Sequence, residues 1–145
     1  MPEKNPGVLN CQAIKKAVSS GHITSRSIPI EDGQIQPASM DLRLGKKAYR
    51  LISSFLPEDS EVMERLHTPD IYGSDLVMYE TDISKGGILE KGHVYLIPLI
   101  EELKLPKDMR GRANPKSTTG RLDIFARVLT NRSPRFDDIA CGYEG

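Results

Sequence analysis

One run of the chain carries helical periodicity, residues 9–20, and after Ile23 the apolar pattern is broken every few residues by Pro, Gly or Asp. That punctuation limits the fold more than any other feature. A helical bundle needs several uninterrupted turns per helix, whereas short apolar runs between turn residues read as strands. In the helical run, Leu9, Ala13, Ile14, Ala17 and Val18 share one face, Asn10 is placed to cap the first turn and Gly21 to end the last. A packing helix is expected there.

The segments SIPI, GQIQP, SMDLRLG and AYRLI follow as β-like runs, and strand signals return at 76–79, 88–89 and 94–100, where Pro98 indicates an edge or bulge. Met40, Leu42 and Leu44 alternate with Asp41 and Arg43, which predicts an apolar face and an exposed charged one. LDIFARVL at 122–129 reads as a further strand, with Ile124, Ala126 and Val128 opposite Phe125, Arg127 and Leu129. The least regular stretch, 57–75, reads as a surface insertion with a short helix at 60–66 carrying Val62, Met63 and Leu66. Many short strands behind one leading helix point to a mainly β barrel or sandwich.

At 145 residues the chain is long enough for one domain with its own core. No apolar run approaches the roughly 20 residues of a membrane helix, and MPEKNPGVLNCQ lacks a secretory pattern. Lys plus Arg and Asp plus Glu both number 20, a balance that argues against a nucleic-acid coat. Cys11 and Cys141 have no C-x-x-C company, and His22, His67 and His93 are dispersed, so no zinc site is expected. A cytoplasmic protein with reduced thiols is the simplest reading.

Charge is nevertheless uneven. Residues 104–127 hold seven Lys or Arg against two Asp, around the core N-P-K-S-T-T-G at 114–120. A rigid Pro, several hydroxyls, a flexible Gly and a cation together suit phosphate oxygens. The Walker pattern is absent, since Lys116 follows Pro115 rather than Gly. The alternative is a solvated loop with Ser117 as an N-cap and no ligand.

Three segments in order, PASMDLRLG at 37–45, the run from Gly92 to Pro106 and PKSTTGRL at 115–122, resemble the dCTP deaminase branch of the trimeric dUTPase superfamily. The wording is most similar to the first copy in the longer bacterial deaminases built from two tandem domains. The resemblance implies a distorted β-barrel or jelly-roll with an N-terminal helix, assembling as a homotrimer or as a pseudo-trimer with a second domain copy. It implies a dCTP site at subunit interfaces, Mg²⁺ bound with the triphosphate, no zinc, and products dUTP and ammonia. By position, Ser117 and Arg121 would be catalytic, Lys116, Ser117, Thr118 and Arg121 would hold phosphate, and Asp137 and Asp138 would lie near the sugar.

The departures carry expectations too. Lys116 stands where the family has arginine, keeping the charge but not the planar fork. CGYEG at 141–145 resembles the turn before the strand that bears the family's proton-shuttling glutamate, so the expectation is a fragment of a longer protein, incomplete at the C-terminus and impaired alone. Glu144 matches a variable position of that turn and is not given the role. Two alternatives stay open: a dUTP pyrophosphatase, and a non-catalytic nucleotide-binding or structural copy of the domain.

Overall fold

The computed structural model describes residues 7–69 and 73–145. Helix α1, Cys11–Ser19, forms as its local signals dictate: the Asn10 side chain accepts a hydrogen bond from the Ala13 N–H, Ile14 and Ala17 are buried, and Gly21 turns the chain at φ +75°. The strands β1 (Ile23–Ser25), β2 (Lys47–Leu51), β3 (Val77–Asp82), β4 (Val94–Leu96), β5 (Glu101–Leu103), β6 (Gly111–Arg112) and β7 (Asp138–Ile139) are all short. Between them lie α2 (Val62–Leu66) and α3 (Ser117–Arg121).

The strands pair antiparallel in three small sheets: β1 with β5, β3 with β2 and β4, and β6 with β7. The mainly β expectation holds. Hydrogen bonding does not join these sheets into one closed barrel among the described residues. Leu103 exchanges both backbone hydrogen bonds with Gly145, so residues 143–145 extend the β1–β5 pair on its other edge.

The core lies against the middle sheet. Tyr49 and Leu51 of β2 pack with the fully buried Leu66 of α2, and Phe55, Val77 and Leu96 close around them. This corrects the reading of 57–75 as a surface insertion: Pro57 and Leu66 are the largest fully buried side chains, so the segment supplies core rather than covering it. Its helix is pinned from a distance, the Val62 N–H donating to Asn131 Oδ1 at 2.9 Å and the Arg132 N–H to Ser60 O at 2.9 Å. Residues 70–72 of that stretch lie outside the described residues.

Two further expectations are overturned. LDIFARVL is not a strand: only its alternation is β-like, no neighbour among the described residues offers it a ladder, and Phe125 stands 86% exposed. The faces of 40–44 are inverted, with Leu42 and Leu44 exposed and Asp41 and Arg43 half-buried. The cause is a buried acid described below. Gly45 fits this region because the chain passes so close to Pro98 that a Cβ would sit 2.7 Å from its carbonyl oxygen.

The chain exposes 10628 Å² of surface. Several large apolar side chains are exposed, notably Ile88, Leu122, Ile124 and Phe125.

Candidate functional site

The cationic turn folds as a single short helix. Lys116 is extended at φ −63° and ψ 143° and acts as N-cap of α3, its carbonyl accepting from the Thr119 and Gly120 N–H groups. Asp123, in the left-handed region at φ 55°, ends the helix, after which the Ile124 N–H returns to the Thr119 carbonyl at 3.2 Å. Ser117 is therefore the first helical residue and not the cap. Its hydroxyl is not spent on the helix.

Among the described residues the side chains of Ser117, Thr118 and Arg121 make no hydrogen bond or ion pair, and the N–H groups of Ser117 and Thr118 have no acceptor. All three side chains are exposed. Two hydroxyls, two amides and a guanidinium thus stand free on one turn, beside an open hollow of about 280 Å³ lined by Gly120, Asp123, Ile124 and Phe125. Such a set donates to an anion from several directions.

Lys116 is held. Its ammonium meets Asp41 Oδ2 at 2.6 Å, bringing the 37–45 segment against the turn. Asp41 in turn belongs to a buried network that sequence reasoning missed. The Glu101 side chain, only 1% exposed, accepts from the Arg43 N–H at 2.7 Å, from Arg43 Nε at 2.7 Å and from Gln34 Nε2 at 3.0 Å. Burial alone would push the Glu101 carboxyl up, but the bonds from Arg43 and Gln34 hold it below its usual value. Arg43 completes its fork on the carbonyls of Ile28 and Pro29. The one available signal was Glu101 within a strongly apolar run, and acids in strands are exposed more often than not.

Among the described residues Asp137 and Asp138 make no hydrogen bond or ion pair with α3. Asp137, at φ 61°, accepts from the Val128 N–H at 2.8 Å and pairs with Arg127 Nε at 3.0 Å. Asp138 pairs with Arg110 at 2.7 Å. Both carboxylates already face cations, and they fix the path of 127–138 beside β6. Glu144 pairs with Lys104 at 3.1 Å and stays largely exposed. Among the described residues no three His, Cys, Asp or Glu side chains converge as metal ligands.

The family model for the 2'-deoxycytidine 5'-triphosphate deaminase (DCD) N-terminal domain matches residues 5–145. Among curated relatives, a "dCTP deaminase, dUMP-forming" of Sulfurihydrogenibium sp. is 33% identical over 118 residues, covering 81% of this chain and 60% of that protein. The protein of the same name from Methanosphaera stadtmanae is 34% identical over 125 residues, covering 83% of this chain and 58% of that one. The chain therefore spans about 60% of the length of these relatives. A crystal structure of 2'-deoxycytidine 5'-triphosphate deaminase from Agrobacterium tumefaciens superposes with TM-score 0.87 at 44% identity, covering 96% of this chain and 38% of that one. The mainly β fold is shared with the matched part of that structure.

Proposed function

The chain belongs to the 2'-deoxycytidine 5'-triphosphate deaminase N-terminal domain family, and from that premise we propose that the protein hydrolyses dCTP at cytosine C4. Water adds to C4, a proton passes to the ring, and the C4–N4 bond breaks with release of ammonia and dUTP. The free hydroxyl, amide and guanidinium groups of α3 beside the Lys116 ammonium are the observation that carries this reading. Lys116, Thr118 and Arg121 take the triphosphate oxygens. Ser117 and Arg121 stabilise the tetrahedral centre as charge develops on it.

The proton-shuttling glutamate is assigned to neither of two nearby acids. Glu101 is buried under Arg43 and Gln34, and Glu144 is paired with Lys104. Asp137 and Asp138 serve the nucleotide by shaping the loop below it, their carboxylates being engaged by Arg127 and Arg110. Lys116 and Arg121 leave part of the triphosphate charge unpaired, and Mg²⁺ entering with the substrate would supply the remaining neutralisation, since no cluster of carboxylates or histidines among the described residues would hold it. A homotrimer, or a pseudo-trimer with a second domain copy, covers the apolar surface at 122–125. The unpaired thiols of Cys11 and Cys141 suit the cytoplasm.

The name shared by the two relatives favours a second reading, in which the triphosphate is also cleaved and the product is dUMP. Incubating the full protein with dCTP and Mg²⁺ and resolving the products decides. Ammonia with dUTP supports the first reading, and ammonia with dUMP and pyrophosphate the second. With dUTP as substrate, pyrophosphate release without any ammonia from dCTP would identify a pyrophosphatase. Bound but unconverted dCTP would leave a non-catalytic copy.

A further inference from the structure

The turn that carries the anion-binding groups is tied to the rest of the protein by a side-chain ion pair, with the Arg127 guanidinium 5.7 Å from the Phe125 ring centroid at its far end. Among the described residues, the Lys116 to Asp41 contact at 2.6 Å is the only hydrogen bond or ion pair that joins residues 114–126 to the rest of the protein. Asp41, by contrast, is fixed on every side. Its N–H donates to the Gln34 carbonyl at 2.8 Å, its carbonyl accepts from Gln34 Nε2 at 3.0 Å, and its Oδ2 accepts from Gln36 Nε2 at 3.4 Å. Gln34 is itself buried and bonded to Glu101, which also holds the Arg43 backbone two residues further on.

We propose that Asp41 is a positioning residue for the triphosphate: it sets where the Lys116 ammonium sits, and through it α3, without touching the nucleotide. This rests on reading α3 as the phosphate-binding turn. An ammonium has three protons, so Lys116 gives one to Asp41 and aims the others at phosphate oxygens. The sign of the effect separates this role from a trivial one. A carboxylate near a polyanion repels it, so if Asp41 were only a resting counter-ion, its neutralisation would tighten nucleotide binding. If it fixes the geometry of the cation, its neutralisation weakens binding, because the ordering it supplied must be found on binding.

The test is Asp41→Asn in the full protein, with Asp41→Glu as the conservative variant and Lys116→Met as the background for a double-mutant cycle. Asp41→Asn is expected to raise the KM for dCTP by about 3- to 10-fold while changing kcat by less than about twofold, with partial recovery in Asp41→Glu. On the Lys116→Met background it adds nothing. Tryptic cleavage after Arg121 speeds up in Asp41→Asn, while the unfolding midpoint moves little because the pair is open to solvent on its Lys116 side, where screening leaves it little net stability. A KM that falls or does not move, or an equal cost on the Lys116→Met background, overturns the proposal. If the wild-type protein neither binds nor converts dCTP, the functional reading fails separately, and an unchanged cleavage rate after Arg121 then overturns the positioning role.

Discussion

Replacing Glu101 with Gln tests the buried network that holds the 37–45 segment whose Asp41 meets Lys116. The substitution keeps the shape, turns one acceptor oxygen into a donor and removes the charge. The carboxylate accepts from the Arg43 N–H, from Arg43 Nε and from Gln34 Nε2, and an amide in its place faces donors with a donor on one side. A lost hydrogen bond to a charged group costs about 1.5–3 kcal/mol. The Arg43 guanidinium, 23% exposed, also loses its counter-charge. Water reaches part of it, so the total stays near the lower end of the range for a broken buried pair, about 2–4 kcal/mol at pH 7. In urea this lowers the unfolding midpoint by about 1–2 M.

The pH dependence fixes the sign. The folded protein holds the Glu101 carboxyl below its ordinary value, so the stabilisation is fully present above that value, about pH 4.3 for an unperturbed glutamate, and is lost as pH falls through the lower folded value. The gap between wild type and Glu101→Gln is therefore constant near neutrality and closes in acid. Equal midpoints at pH 7, or a gap of the same size well below pH 4, would refute the reasoning.

Leu66→Ala removes a fully buried side chain from the cluster with Tyr49 and Leu51, and is expected to cost about 3 kcal/mol by chemical denaturation. A cost under about 1 kcal/mol would return the 57–69 segment to the surface. Gly45→Ala places a Cβ 2.7 Å from the Pro98 carbonyl, which already accepts the Gly45 N–H at 2.7 Å, so two backbones must separate and the Leu44 to Leu99 bridge is strained. The expected loss is about 1–3 kcal/mol, read as a lowered denaturation midpoint. An unchanged midpoint would contradict that close approach.

What the sequence made legible is what local chemistry controls. The leading helix formed within a residue or two of its signals, because cap, periodic face and terminal glycine all lie within that stretch. The motif at 114–121 located the cationic turn, since charge and hydroxyl content need no partner to be counted. Alternation misled wherever a distant residue decided the outcome. Leu42 and Leu44 face outward because Glu101, 58 residues from Arg43, draws that arginine inward. The tether of Lys116 comes from an aspartate 75 positions away. LDIFARVL has the pattern of a strand, but a strand exists only where a neighbour supplies its ladder. Asp137 and Asp138 were visible as candidate carboxylates, and their commitments to Arg127 and Arg110 were not.

The central claim is that the turn at Lys116 to Arg121 grips the phosphates of a deoxycytidine nucleotide. The most direct measurement is the affinity of the full protein for dCMP, dCDP and dCTP, with and without Lys116→Met. The account predicts binding that strengthens with each phosphate in the wild type and a loss of about 10- to 100-fold for dCTP in the variant, as expected for one charge-assisted contact. Affinity that ignores phosphate number, or dCTP binding that survives Lys116→Met undiminished, would contradict it.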